Sequence, residues 1–320
     1  MKKGFIALIV VGAVLLTAGA TVFGLAIAKK AFDGTGNLVT KNHEFDDSIS
    51  KINVDIDTAD LTFVSTSESK TKVTCLEKEK IHHDVKVNDG TLSITTVDET
   101  RWYERWFNFA DKMKITVYLP EDTYQELKIK DSTGDIVSKD AFTFTGVSVN
   151  ASTGNINFSN LTSSGINIDV STGNINLKDV NMDGKLYAKA STGSINLENV
   201  VTTGNIEVKT STGSQKYHGV RCADCSLKAS TGGLILEDFI ASGDLKIETS
   251  TGDVTFKGSD ANTINVKTDT GDVKGTILTP KSFYFETDTG KTNEKDLREY
   301  TGPRCDIKTD TGDIYITVAP

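Results

Sequence analysis

Three Asp-Thr-Gly triplets, at 269–271, 288–290 and 310–312, carry the short motif on which aspartic proteases place their catalytic carboxylates. That chemistry needs two carboxylates converging on one shared proton. Three copies in a row, each standing where other copies read Ser-Thr-Gly, belong to a repeat instead. A row of carboxylates has another use. If the repeats stack, Asp269, Asp288 and Asp310 share one file, with Asp253, Asp272 and Asp313 just past the bends. Such an oxygen-rich row suits Ca²⁺. A solvated acidic edge with Lys267, Lys274 and Lys308 nearby is the other reading, and both stand at this point.

The remaining reactive side chains are sparse. Cys222-Ala223-Asp224-Cys225 is a lone C-x-x-C with no second pair at zinc-like spacing, because Cys75 and Cys305 are far away in sequence. Cys225 lies two residues before Leu227, a core position, which points to a buried thiol; a local disulfide is the alternative. His82-His83 is a weak metal hint, and a solvated strand end is the favoured reading. Arg101 to Phe109 is the aromatic-dense stretch and holds both tryptophans. Trp102, Tyr103, Trp106 and Phe107 are the candidate binding residues, for sugar rings, a protein or a membrane interface; the same stretch would also serve as a plug for the N-terminal end of a core. No nucleophile–base pair, phosphate loop or metalloprotease motif is present, so no catalytic residue is assigned.

What must position these groups is a period. Ser/Asp-Thr-Gly occurs ten times, and its glycines (134, 154, 173, 193, 213, 232, 252, 271, 290 and 312) are spaced by 20, 19, 20, 20, 19, 20, 19, 19 and 22 residues. Around each copy apolar and polar residues alternate, as in Ile175 and Leu177 between Asn174, Asn176 and Lys178, or Ile166, Ile168 and Val170 half a repeat earlier. Alternation of period two marks strands with one buried face. Each repeat therefore encodes two short strands joined at Ser-Thr-Gly, with a looser second corner such as Asp183-Gly184 or Ser242-Gly243. Glycine at the sharp corner supplies positive φ. One such coil cannot bury its apolar face alone, and stacked coils can. The expected fold is all-β: a parallel β-helix, or β-solenoid, of coils about 20 residues long and about 4.8 Å apart.

Four segments follow. Met1-Lys2-Lys3 precedes an uncharged apolar run from Gly4 to Ala28, closed by Lys29-Lys30. As a helix the run spans roughly 37 Å, enough for a bilayer, so residues 1–30 are expected to be one N-terminal transmembrane helix, with a cleaved signal sequence as the alternative. Residues 31–42 read as a linker. Residues 43–130 read as atypical first coils and a cap, with Asp57-Thr58-Ala59-Asp60 a degenerate copy of the repeat. Residues 131–320 are the regular array. Lys291 to Tyr300 reads as a charged loop bulging outward, and Ile314–Val318 as an uncapped terminal strand open to another copy. The net charge is −9 with only five arginines, so nothing resembles the basic stripe of a nucleic-acid binder.

The array of Ser/Asp-Thr-Gly-[Asn/Asp/Ser]-Ile/Val corners from 132 to 313, behind one apolar N-terminal segment, resembles a bacterial family of membrane-anchored β-strand-repeat proteins named "putative adhesin". The resemblance covers residues 43–320 and implies a cell-envelope location; it brings no catalytic residue. The expectation is a single-pass membrane protein with its β-domain outside the cell, non-enzymatic, binding a cell-envelope polymer or protein, with no cofactor unless calcium occupies the aspartate file. The rival is a polysaccharide-active β-helix enzyme. Such enzymes need two opposed carboxylates, or carboxylates with basic residues clustered on one face, whereas these corners carry hydroxyls and amides and arginine is nearly absent.

Overall fold

Residues 186–205 show how one coil is made. Leu186, Ala188 and Ala190 point inward along the strand Leu186–Thr192. The chain bends at Gly193, and Ile195 and Leu197 point inward on the next run. Asn199 then takes left-handed backbone, φ 53°, so the following inward residue is Val200, three places after Leu197 rather than two. That extra residue shifts the phase of the strand and turns the chain a second time. Thr202 closes the run, and a third bend at Thr203-Gly204 leads to Ile206, which pairs in parallel with Leu186. Each coil thus has three straight runs where two were expected. The additional bend recurs at Asn160, Asp179, Asn199, Gly219, Asp238 and Gly258, all with φ between 49° and 64°. Asn, Asp and Gly tolerate this conformation best.

The computed structural model describes residues 38–100 and 112–320. The regular coils stack in parallel register from Thr123 to the C-terminal end, and their inward Ile, Leu, Val and Ala form one continuous core. The β-solenoid expectation holds. Residues 1–30, read as the membrane span, lie outside the described residues, as do Trp102, Tyr103, Trp106 and Phe107. Among the described residues no helix is long and apolar enough to cross a membrane.

Both ends depart from simple sequential stacking. At the N-terminal end the strands are β1 (Leu38–Phe45), β2 (Lys51–Thr58), β3 (Asp60–Thr66), β4 (Thr71–Lys78), β5 (Ile81–Asn88), β6 (Thr91–Asp98), β7 (Lys114–Pro120), β8 (Thr123–Thr133) and β9 (Ile136–Ser138). The coil β2–β3 is flanked on one side by β8 and β9 and on the other by β6 and β7. Antiparallel strands β1, β4 and β5 then close the end. The copy at Asp57–Asp60 is real: Thr58 pairs with Thr133, and the Ala59 N–H donates to the Thr133 carbonyl at 3.1 Å. His83 is not a solvated strand end. It is 2% exposed, its backbone N–H donates to Glu77 Oε2 at 2.7 Å, and its ring Nδ1 lies 3.1 Å from the same oxygen.

At the C-terminal end, strand Arg304–Thr311 pairs with the 264–270 coil on one side and with strand Ser282–Thr289 on the other. The last coil in sequence is the penultimate one in space. The terminal strand Ile314–Val318 pairs with Val273–Ile277, and its other edge is covered, contrary to expectation. The Ile314 N–H donates to the Lys291 carbonyl at 2.8 Å. The side-chain amide of Asn293 satisfies Ile316 twice, Oδ1 accepting its N–H at 3.1 Å and Nδ2 donating to its carbonyl at 2.7 Å. The 3₁₀ turn Glu294–Leu297 buries Leu297 against the core. The segment read as an outward loop is therefore a lid. An exposed parallel edge is a template for aggregation, and covering it removes that hazard. Among the described residues the strand left with one partner at this end is Ser282–Thr289.

One core position breaks the apolar pattern. Asp131 stands in the inward file between Ile56 and Ala151, 2% exposed. Its Oδ1 accepts the Thr133 N–H at 3.0 Å and its Oδ2 has no partner. Burial pushes its carboxyl up to about 7 from 3.8, helped by Asp60, Asp57 and Asp135 and opposed by the Thr133 hydrogen bond. The folded state then holds a proton that the unfolded chain releases, so this group's contribution to stability falls as pH rises from about 4 to about 7. Asp131→Ala is expected to gain roughly 1–3 kcal/mol at pH 8 and to flatten that slope. Urea denaturation at pH 5 and pH 8 measures both; a variant less stable at pH 8 contradicts the account.

Candidate functional site

The Thr-Gly bends build one edge of the rod. Each bend glycine lies directly on the glycine of the neighbouring coil, with the N–H of Gly173 donating to the Thr192 carbonyl at 2.8 Å and that of Gly193 to Thr212 at 2.9 Å. Beside the glycines runs a file of short side chains, and its Asp and Asn members each accept the backbone N–H of the next coil. Asp135 Oδ1 takes Asn155, Asn155 Oδ1 takes Asn174, and Asn174 Oδ1 takes Ser194, at 2.8, 3.0 and 2.8 Å. Asp253, Asp272 and Asp313 continue it toward the far end. A second ladder, Asn157–Asn176–Asn196, joins amide to amide at 2.8 and 2.7 Å. These residues are occupied in holding the coils together.

Side chains outside these ladders lie on the outer face of the strands leading into the bends. Parallel register places Asp169, Lys189, Lys209, Lys228, Glu248, Lys267 and Lys308 in one file. Beside it run Ser211, Ser230, Ser250 and Asp269. With Lys189, Lys209, Lys228, Glu248 and Lys267 these four line an open groove of about 530 Å³ along the rod. Its charges are pinned in pairs. Lys189 Nζ lies 3.1 Å from Asp169 Oδ2. Glu207 is clamped by Lys185 and Lys209 at 2.5 and 2.6 Å, and hydrogen bonds from both hold its carboxyl down at about 2. Glu248, between Lys228 and Lys246 at 2.7 and 2.6 Å, is held at about 2 in the same way. The Lys209 and Lys185 ammonium groups also lie 5.4 and 5.7 Å from the centre of the Tyr187 ring. Glu248 therefore carries no proton to donate at neutral pH, and the groove offers lysine donors and serine hydroxyls in rows.

The aspartates singled out in sequence fall at the end of this edge in the order Asp269, Asp310, Asp288, because the last coil slips under the one before it. They sit on consecutive bends. Among the described residues, however, the three potential metal-ligating side chains whose donor atoms come within 4.8 Å of one another are Cys75, Glu77 and His83, and none of these aspartates. Cys222 and Cys225 are both buried and both free thiols. Burial and the neighbouring Cys222 push the Cys225 thiol well above its ordinary value, which disfavours a reactive thiolate there. The lysine file was the signal sequence reading passed over: Lys189, Lys209, Lys228 and Lys267 are spaced by the same 19–20 residues, or twice that, as the glycines.

No curated protein sequence matches the chain. It is similar to several solved structures. One is a "putative adhesin" from Parabacteroides distasonis ATCC 8503, 15% identical, covering 86% of this chain and 98% of that one with a TM-score of 0.49. Another is a "putative adhesin" from Parabacteroides merdae ATCC 43184, 17% identical, covering 76% and 96% with a TM-score of 0.47. A third is a "Putative lipid binding protein" from Parabacteroides distasonis ATCC 8503, 16% identical, covering 88% and 98% with a TM-score of 0.48. The family model described as Toastrack DUF4097 matches residues 49–317, and with that span of stacked Thr-Gly coils the chain belongs to the Toastrack DUF4097 family.

Proposed function

We propose that this protein is a membrane-tethered rod whose β-domain lies outside the cell and binds a polar cell-envelope polymer along its lysine–serine groove, without turning it over. The groove carries the reading. Its donors repeat at the coil spacing, about 4.8 Å, so an extended polymer with many hydroxyl or acidic groups meets several rows at once, and weak contacts sum to useful affinity. Glu207 and Glu248 are locked in ion pairs and provide no general acid, which favours binding over hydrolysis. The apolar run Gly4–Ala28 supplies the tether.

Co-sedimentation of full-length protein, in detergent, with purified insoluble cell-wall polymer tests the groove. The variant K189A/K209A/K228A/K267A is expected to lose at least about tenfold in bound fraction, with an unchanged thermal melt. Equal retention of variant and parent removes the groove from the reading, and release of new reducing ends removes the non-catalytic part. Alkaline carbonate extraction of membranes tests the tether separately: full-length chain stays with the lipid, and its appearance in the wash would sink the span.

A further inference from the structure

We propose that Cys75, Glu77 and His83 form a zinc site inside the N-terminal cap. Their donor atoms, a thiol sulfur, a carboxylate oxygen and an imidazole nitrogen, all lie within 4.8 Å of one another, and all three residues are buried. Two observations set this group apart from an ordinary buried hydrogen bond. The His83 ring is 2% exposed, yet its Nε2 has no partner. A buried imidazole nitrogen without a partner is costly, and proteins rarely leave one so. Second, His43 stands on β1, which is paired with β4 so that Lys41 faces Cys75 and His43 faces Val73. Lys41 reaches inward to Glu77, and residues two apart on a strand share a face. The Nε2 of His43 is likewise buried without a partner.

Sulfur, nitrogen and carboxylate oxygen together are the donor set of a borderline-soft divalent ion, and zinc takes them at roughly 2.0–2.3 Å in tetrahedral array. That array sets ligand atoms about 3.3–3.7 Å from one another, inside the 4.8 Å that bounds the cluster. His43 or a water completes the fourth position. Entry of the ion releases the Cys75 thiol proton to solvent and displaces the Lys41 ammonium, which now sits 2.7 Å from Glu77 Oε1. Lys41 is half-exposed and free to swing out. None of these residues belongs to the repeat: β4 and β5 are the hairpin that closes the rod beside its first described strand. Zinc there would fasten the cap and free the tether-proximal strand β1 from its inner ion pair.

Metal-stripped full-length protein is titrated with Zn²⁺ alone, and separately with Co²⁺ as a spectroscopic stand-in. One equivalent of zinc is expected, with a rise in Tm and a thiolate-to-cobalt charge-transfer band. Cys75→Ser abolishes that band, and His83→Gln weakens binding at least about tenfold. Cys305→Ser, a buried thiol at the other end of the rod, changes neither readout. Absence of both the band and the Tm rise in the parent protein overturns the proposal without reliance on any variant. A band that survives Cys75→Ser overturns it equally.

Discussion

Gly193→Ala is expected to break the rod in the middle. A methyl group on Gly193 would lie 2.0 Å from the carbonyl oxygen of Gly173 and 2.6 Å from its carbon. The obstacle is backbone, held by the stacking ladder itself, and no rotamer change relieves it. The backbone also sits at φ 144°, a region open essentially to glycine alone. Strain and overlap together cost about 4 kcal/mol or more, at the top of the range for single substitutions. Stability in a stacked array is nearly a sum of coil and neighbour terms, so the loss is local first. Hydrogen exchange should show lost protection in coils spanning 173–213 while both ends keep theirs. Gly233→Ser is the control. Gly233 directly follows the bend glycine Gly232, and a Cβ there meets nothing nearer than the Asp253 carbonyl oxygen at 3.4 Å. It occupies the file filled by Ser214 and Asp253 on adjacent coils, so the control is expected to be neutral or to gain up to about 1 kcal/mol. Equal damage from both substitutions would mean that glycine stacking does not govern this edge.

Lys281→Met should loosen the C-terminal end by about 3–5 kcal/mol, because it leaves a charge in the interior without its partner. Lys281 is 3% exposed, an unusual setting for lysine, and its Nζ lies 2.9 Å from Asp260 Oδ1 and donates to Thr279 Oγ1 at 2.7 Å. The pair sits where the chain leaves the stack to lay down strand Ser282–Thr289 over the final coil. Removing the ammonium leaves the buried Asp260 carboxylate without its cation, held by the Ala261 N–H at 2.8 Å. The double variant D260N/K281M removes both charges and should recover most of the loss, since buried ion pairs often contribute little net stability. Urea melts of the parent, both single variants and the double variant close the cycle. A double variant as unstable as K281M would show that Lys281 acts through packing of its stem and not through Asp260.

Much of this was legible before any coordinates. Glycines every 19 or 20 residues and alternating Ile, Leu and Val declare stacked parallel coils, because both signals arise from contacts between equivalent residues. The left-handed bend leaves a trace too: Asn160, Asp179, Asn199, Gly219, Asp238 and Gly258 recur at the same interval, which a reading of two strands per repeat does not use. What a period cannot say is which neighbour a coil takes. Glycine 312 follows glycine 290 in sequence and precedes it in space, and the 22-residue step there was the trace of a chain leaving the stack and returning. The Cys75–Glu77–His83 group showed in sequence only as the weak metal hint of His82-His83, for a different reason. It lies outside the repeat, and only an antiparallel hairpin brings residue 83 back over residue 77. The groove lysines were masked by ordinary expectation, since charged residues on the outer face of a strand look like solvation until register aligns them.

The tucked C-terminal coil bears on how the molecule answers to traction. A solenoid that simply ran out would peel from its tip, one ladder rung at a time. Here strand Arg304–Thr311 is gripped on both flanks, so a tug that has freed Ile314–Val318 from Val273–Ile277 must next slide it against two partners at once. A rod fixed to a surface at its other end would thereby hold its shape under shear flow at the very point where a hanging tail would otherwise begin to unravel.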